Sequence, residues 1–521
     1  MVDFVSSEIV RTWLSDGQEL AFLDVREYGE YGESHPLFVI PVAYSEFEDR
    51  LVHVAPNRQV RMVLVDGNDG IAQKAAASAE ALGYSNVHIL KGGAKAWGEA
   101  GFTLYAGVNV PSKTFGELLE IERHTPRLSA QDLRRMQDEK SDHVVVDGRP
   151  YAEYNNFSIP GGICCPNGEL ALRIRDLVPS PDTTIVVNCA GRTRSILGAQ
   201  TLIDAGVTNP IYALENGTQG WFLVDFPLDH GATRKYPEEA GKIEIYDRRS
   251  VARKRAESAG VEFVSVDVAN ASLSDQTRTH YVLDVRTAEE FAHDGIAGSI
   301  HAPGGQLVQA TDEWVGVREA NILLLDSDGV RAPLAAYWLR QMGHKACVLE
   351  GGVEAAKGLN VPAADLSNGG EALPLQDAAT LDIAAVQLVD LRASLAFRDG
   401  HIDGGVWSIR PRLPGLNLDV SRPIVLIGDE VTTSLAGQDL KQGGASDVSR
   451  LSGTPGDWEK AGLAVVATPN TPSDADRIDH LFFTAERRHN KDASRQYLKW
   501  EVDLVDQLDA QERAIFQLVA S

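Results

Sequence analysis

The sequence predicts an α/β protein of four tandem repeats, each a mainly parallel sheet flanked by helices, followed by a helical C-terminal tail. Three observations carry this. Short runs rich in Val, Ile and Leu alternate with helix-like stretches, the pattern of a parallel sheet covered on both faces. One such run recurs with an aspartate and, two residues on, an arginine: Phe22-Leu23-Asp24-Val25-Arg26, Val145-Val146-Asp147-Gly148-Arg149, Val282-Leu283-Asp284-Val285-Arg286 and Leu388-Val389-Asp390-Leu391-Arg392. A second apolar run then opens into a loop at a fixed distance. Asp66, Cys189 and Asp326 each lie 42 residues after the aspartate of their repeat, and Gly428 lies 38 after Asp390. At 521 residues the chain exceeds a single core, and about 150 residues per domain allows three or four.

The repeats are placed at residues 1–110, 125–235, 258–365 and 375–467, with the tail at 468–521. Each ends in a small-residue turn, Gly92-Gly93, Asn216-Gly217, Gly351-Gly352 or Ser452-Gly453, where positive φ or close backbone approach is expected. Trp97, Trp221 and Trp458 follow three of these turns and read as core anchors. Val110-Pro111-Ser112-Lys113-Thr114 begins the first linker, and Ser129 is expected to cap the opening helix of the second repeat. Residues 236–257 form a charged, helix-capable connector whose Arg248-Arg249 and Arg253-Lys254-Arg255 read as a solvated face. The third linker, Ala363 to Pro374, contains Gly and Asn and is expected to be flexible. In the tail, Ser473-Asp474-Ala475-Asp476 reads as a helix start, and Leu498, Val502, Val505 and Leu508 follow helical spacing. An amphipathic helical hairpin is expected there, packing on the repeats, with a homodimer through the tail as the alternative.

A net charge of -25 argues against nucleic acid and against anionic membrane surfaces, which both require a basic footprint. No leader pattern and no run of membrane-spanning length is visible, so the expected location is cytoplasmic. The four cysteines, Cys164, Cys165, Cys189 and Cys347, form neither a metal-ligand spacing nor a disulfide framework and read as reduced thiols. No metal and no cofactor is expected.

Chemistry concentrates at Ile185-Val186-Val187-Asn188-Cys189-Ala190-Gly191-Arg192-Thr193-Arg194-Ser195, a buried-strand pattern delivering one cysteine into a loop before a helix-like run from Ile196 to Ala205. Unpaired N–H groups at a helix start favour a thiolate and an anion attached to it. Arg192 and Arg194 add fixed positive charge. Cys189 is therefore the candidate nucleophile, with a lowered pKa expected. Ala190, Gly191, Arg192, Thr193, Arg194 and Ser195 are the candidate substrate-binding residues.

Loop length narrows the reaction. Phosphatases of the Cys-x5-Arg type place arginine six positions after cysteine, whereas here that position is Ser195 and the arginine is Arg194. The string Cys-Ala-Gly-Arg-Thr-Arg instead resembles the six-residue active-site loop of the rhodanese family, single-cysteine sulfurtransferases that carry sulfur as a cysteine persulfide. Ser158-Ile159-Pro160-Gly161-Gly162, His293-Asp294-Gly295-Ile296-Ala297-Gly298 and Gly400-His401-Ile402-Asp403-Gly404-Gly405 resemble a turn of that family, with a weak echo at Ser34-His35-Pro36, so His35, His293 and His401 read as structural. The four-domain bacterial thiosulfate sulfurtransferase type is the nearest resemblance. It implies sulfane-sulfur transfer from thiosulfate or a related donor to a small acceptor, cyanide or a thiol, through a Cys189 persulfide. The alternative is a persulfide carrier or sensor serving a protein partner, with the other repeats as docking surfaces. Asp66, Asp326 and Gly428 replace the cysteine elsewhere, which implies inactive repeats in structural or gating roles; Asp66-Gly67-Asn68-Asp69 and Asp326-Ser327-Asp328 are expected to repel anions.

Overall fold

The structure, a computed structural model, describes residues 2–237, 245–363, 370–485 and 490–519. The chain divides into two compact units. One comprises Met1–Leu14, Leu20–Gly107 and Asp365–Phe483, and carries the first and fourth repeats. The other comprises Ser15–Glu19, Val108–Ala364 and Thr484–Ser521, and carries the second and third. Among the described residues no helix is long and apolar enough to cross a membrane.

The sheets share one plan. In the second repeat the parallel order is Arg127–Leu128, Ile211–Leu214, Thr184–Asn188, His143–Asp147, Ile163–Cys164. The third runs Glu262–Val264, Lys345–Leu349, Asn321–Leu325, His280–Asp284, Ile300–His301, and the first orders Asp3–Val5, Val87–Leu90, Met62–Val65, Leu20–Asp24 and Ile40–Pro41 alike. The fourth reduces its opening edge strand to one bridge between Leu375 and Arg450, beside Val448–Leu451. The strand carrying the candidate loop lies inside its sheet, between His143–Asp147 and Ile211–Leu214. Its apolar residues Ile185, Val186 and Val187 are fully buried, as strands covered on both faces require.

The recurring Asp-x-Arg becomes an ion pair. In the second repeat Arg149 Nε and Nη2 donate to Asp147 at 2.8 Å each, and both side chains are buried. Arg26, Arg286 and Arg392 pair in the same way with Asp24, Asp284 and Asp390. Trp97, Trp221 and Trp458 are buried, their Nε1 groups donating to the carbonyls of Thr103, Pro227 and Ser452. Ala356 occupies the corresponding place after Gly352. Ser129 Oγ accepts from Asp132 N at 3.1 Å, the cap expected for helix Ala130–Asp138. His35 and His401 are buried, whereas His293 is exposed.

Four expectations need correction. Val110 does not begin a linker but a 14-residue helix, Val110–Arg123, largely buried against helix Thr193–Asp204. The connector's basic residues are a solvated face only in part: Arg253 and Lys254 are exposed, but in helix Ile245–Ser258 Arg248 is buried and donates to Leu172 O, while Arg255 Nε reaches Asp204 O at 2.9 Å. Arg255 meets the last carbonyl of helix Thr193–Asp204, where the helix dipole favours a cation. The tail is no hairpin. Ser473 precedes only a 3-10 turn, Asp474–Asp476, and residues up to Phe483 belong to the first unit while helices Lys491–Asp503 and Ala510–Ile515 belong to the second. In helix Lys491–Asp503 the inward stripe is Ser494, Tyr497, Leu498 and Glu501; Val502 is exposed. Of the third linker, residues 364–369 lie outside the described residues.

Candidate active site

Strand Thr184–Asn188 ends in a polar residue with a definite task. Asn188 Nδ2 donates to Asp147 Oδ2 at 2.8 Å, tying the strand's last residue to the Asp147–Arg149 pair. Cys189 follows at 2 % exposure. The loop then turns into helix Thr193–Asp204, and Ser195 Oγ donates to Cys189 Sγ at 3.0 Å. The turn Asn216-Gly217 braces the loop from beneath, Thr218 N donating to Cys189 O at 2.9 Å and Gln219 N to Ala190 O at 3.1 Å. Glycine is required there, since Gly217 has φ +52° and a Cβ would stand 2.4 Å from Cys189 O.

The two loop arginines are not equivalent. Arg192 turns away from the thiol into a buried ion pair, Nε and Nη2 each 2.7 Å from the Glu117 carboxylate, with Glu120 adding a further contact. The Arg194 charge acts on the Cys189 thiol, and its guanidinium pairs bidentately with Glu153 at 2.8 and 2.9 Å, while Asn167 Nδ2 holds its carbonyl at 2.8 Å. Thr193 Oγ1 donates at 3.0 Å to Glu501 of helix Lys491–Asp503. Both arginines expected to face an incoming anion are thus engaged by carboxylates, Arg192 by Glu117 and Glu120 and Arg194 by Glu153. Arg192 is committed to the helix Val110–Arg123.

The expected lowering of the Cys189 pKa is also corrected. Burial pushes the thiol up, Arg194 and the Ser195 hydrogen bond oppose this, and Glu501 adds to it. Three carboxylates, Glu117, Glu120 and Glu501, crowd around Arg192, and burial pushes Glu117 up to about 7 despite the arginine. Of the other thiols, burial pushes Cys164 up to about 12, Cys347 to about 11 and Cys165 well upward.

Residues 6–100, 129–223 and 265–358 match the rhodanese-like domain. The chain belongs to the rhodanese family. It is also similar over its whole length to a thiosulfate sulfurtransferase of Pseudomonas aeruginosa, whose crystal structure covers 100% of both chains at 36% identity with a TM-score of 0.90. A curated relative, an HTH-type transcriptional regulator of Mycobacterium tuberculosis, is 34% identical over 103 residues, a match spanning 20% of this chain and 44% of that protein.

The other rhodanese repeats show what becomes of the loop without its cysteine. The Asp66 carboxylate accepts from the amides of Asn68, Gly70 and Ala72 at 2.8 to 3.2 Å, and Asp326 accepts from those of Gly329 and Ala332 at 3.1 and 2.9 Å. Each aspartate places its own carboxylate in the amide cradle. In the fourth repeat Asp429 caps the following helix, accepting from Thr432 N at 2.9 Å.

Glu117, Glu120, Glu153, Gln219 and Glu501 all bear on the rhodanese loop, and none was legible as a site residue. Glu117 and Glu120 lie at i,i+3 on what read as a linker, a spacing that puts both on one helix face. Glu501 lies 312 residues after Cys189 on a stripe half polar, where no periodicity points inward.

Proposed function

We propose that this rhodanese is a sulfurtransferase moving sulfane sulfur from thiosulfate, or a related donor, to cyanide or a thiol through a persulfide on Cys189. The observation that carries this reading is one thiol at the head of a six-residue loop, with Ser195 Oγ donating to its sulfur and Arg194 beside it. Similarity to the Pseudomonas aeruginosa thiosulfate sulfurtransferase supports the donor.

In the first step the sulfonate of thiosulfate takes over contacts that Arg194 now makes to Glu153, a carboxylate 41% exposed and able to swing into solvent. Cys189 thiolate attacks the outer sulfur, the S–S bond of the donor breaks, and sulfite leaves with its electron pair. The Ser195 amide and hydroxyl, at the start of helix Thr193–Asp204, then stabilise the persulfide charge. Burial holds the resting thiol up, and the Arg194 charge and the Ser195 hydrogen bond are the groups that favour the attacking thiolate. In the second step the acceptor attacks the outer persulfide sulfur and Cys189 thiolate is restored. A cysteine only 2 % exposed favours small acceptors over a docked protein partner.

Thiosulfate:cyanide sulfurtransferase activity should fall to background in Cys189→Ser, with the melting transition retained. Substantial activity in that variant would contradict the assignment.

A further inference from the structure

Two buried polar atoms beside the loop lack hydrogen-bond partners. Glu501 is 3 % exposed, and while its Oε1 accepts from Thr193, its Oε2 is buried with no hydrogen-bond partner. Gln219 Nε2 is likewise buried and unpartnered, its Oε1 being held by Ser494 Oγ at 3.0 Å. The two orphan atoms converge on one place: each lies 3.2 Å from the point where a Cβ on Gly191 would stand. A buried carboxylate oxygen and a buried amide N–H left unpaired are costly, on the order of 1–3 kcal/mol each. Their convergence over Gly191, two residues from the sulfur-bearing cysteine, specifies a partner that both donates and accepts. A side chain at 191 would crowd both orphan atoms, so glycine keeps them accessible to a shared partner.

We propose that Glu501 and Gln219 form the acceptor half of the site and receive a neutral thiol, Glu501 Oε2 taking its proton as the thiol sulfur attacks the Cys189 persulfide. This rests on the sulfurtransferase reading and goes beyond it by naming the acceptor class and its base. The Gln219 Nε2–H orients the thiol sulfur. The S–H bond breaks with its proton passing to Glu501, and a new S–S bond forms to the outer sulfur. The bond from that sulfur to Cys189 breaks with its electron pair remaining on Cys189 Sγ, where Ser195 Oγ donates. A thiol, a persulfide anion and a carboxylate become a new persulfide anion, a thiolate and a carboxylic acid, with charge and electrons conserved. The groups facing this place are Arg194 beside the sulfur, Arg192 with Glu117 and Glu120, and Thr193 on Glu501. Arg194 is the cation that favours charge on Cys189, while Arg192 is already paired with Glu117 and Glu120. The tail helix, rather than any repeat, brings the base.

The test uses the full-length protein loaded with thiosulfate, followed by single-turnover transfer to 2-mercaptoethanol, largely protonated at pH 7, or to 4-nitrothiophenol, largely thiolate. Glu501→Gln keeps an oxygen for Thr193 and removes the base. It should slow transfer to 2-mercaptoethanol by about 10²-fold, the usual scale of general-base assistance, and transfer to 4-nitrothiophenolate, which brings no proton, by less than about threefold on that same scale. With 2-mercaptoethanol the variant's rate should climb with pH in step with the thiolate fraction. As a second variant, Glu501→Ala should regain transfer to 2-mercaptoethanol on addition of formate. Equal slowing with both acceptors, no slowing with either, or no formate effect overturns the proposal. Failure of the unaltered protein to gain sulfur from thiosulfate would instead strike the sulfurtransferase reading.

Discussion

Arg192 and Arg194 stand two residues apart and are set to different tasks by their partners. Arg194→Ala should impair use of thiosulfate more than use of a neutral persulfide donor, by about 1.5–3 kcal/mol in kcat/KM, the worth of a charge-assisted contact; equal losses would make Arg194 a loop support. Arg192→Ala should instead lower stability by about 3–5 kcal/mol by leaving Glu117 buried without its cation, and since Glu117 is already pushed up to about 7, the loss should ease as pH falls below 7. Urea melts at pH 6 and pH 8 measure it. Glu27 offers a cleaner titration. It is buried, held by Ser45 N and Oγ at 3.1 and 2.9 Å, and burial pushes it up to about 7. A raised carboxyl holds its proton more tightly folded than unfolded, so its contribution is complete below about 4.5 and is lost as pH rises to about 7. Glu27→Gln, which keeps an acceptor for Ser45, should therefore gain stability over the unaltered protein between pH 5 and pH 8, by up to about 3 kcal/mol. A constant difference across that range would show that Glu27 stays ionised throughout.

Each loop is an element built on the turn beneath it, and the same close approach recurs. A Cβ on Gly93 would stand 2.2 Å from Asp66 O, one on Gly352 2.2 Å from Asp326 O, and one on Gly217 2.4 Å from Cys189 O. Gly217→Ala should thus disturb the catalytic loop and abolish sulfur loading, whereas Gly93→Ala should lower stability and leave loading on Cys189 intact. Loading in both variants, followed by mass, separates a local from a global effect. These loops were legible in the sequence because strand, loop and turn lie within one repeat, and Asp147, Arg149, Asn188 and Cys189 carry fixed local spacings. The carboxylates were not. Glu117, Glu153 and Glu501 reach the loop from three separate helices, and only packing brings them together. The thiol pKa was misjudged for the same reason, since its arginines could be counted in the sequence but neither burial nor their carboxylate partners could.

For the whole molecule, a four-fold pattern of spacing was enough to foretell four sheets of one α/β plan. Their distribution was not foreseeable: the chain pairs its second and third repeats in one unit and its first and fourth in the other, and divides the tail between them. That division places helix Lys491–Asp503 in the unit that holds Cys189, so the site is completed by residues far outside its own repeat. Two repeats keep the loop and fill it with an aspartate carboxylate, and the proposed function assigns sulfur to the Cys189 loop alone. The most direct test of that claim is the mass of the full-length protein after exposure to thiosulfate and desalting, with peptide mapping of the product. One added sulfur, on the peptide containing Cys189 and removed by cyanide, is the predicted result. Sulfur on the peptides of Cys164, Cys165 or Cys347, or no added sulfur at all, would contradict it.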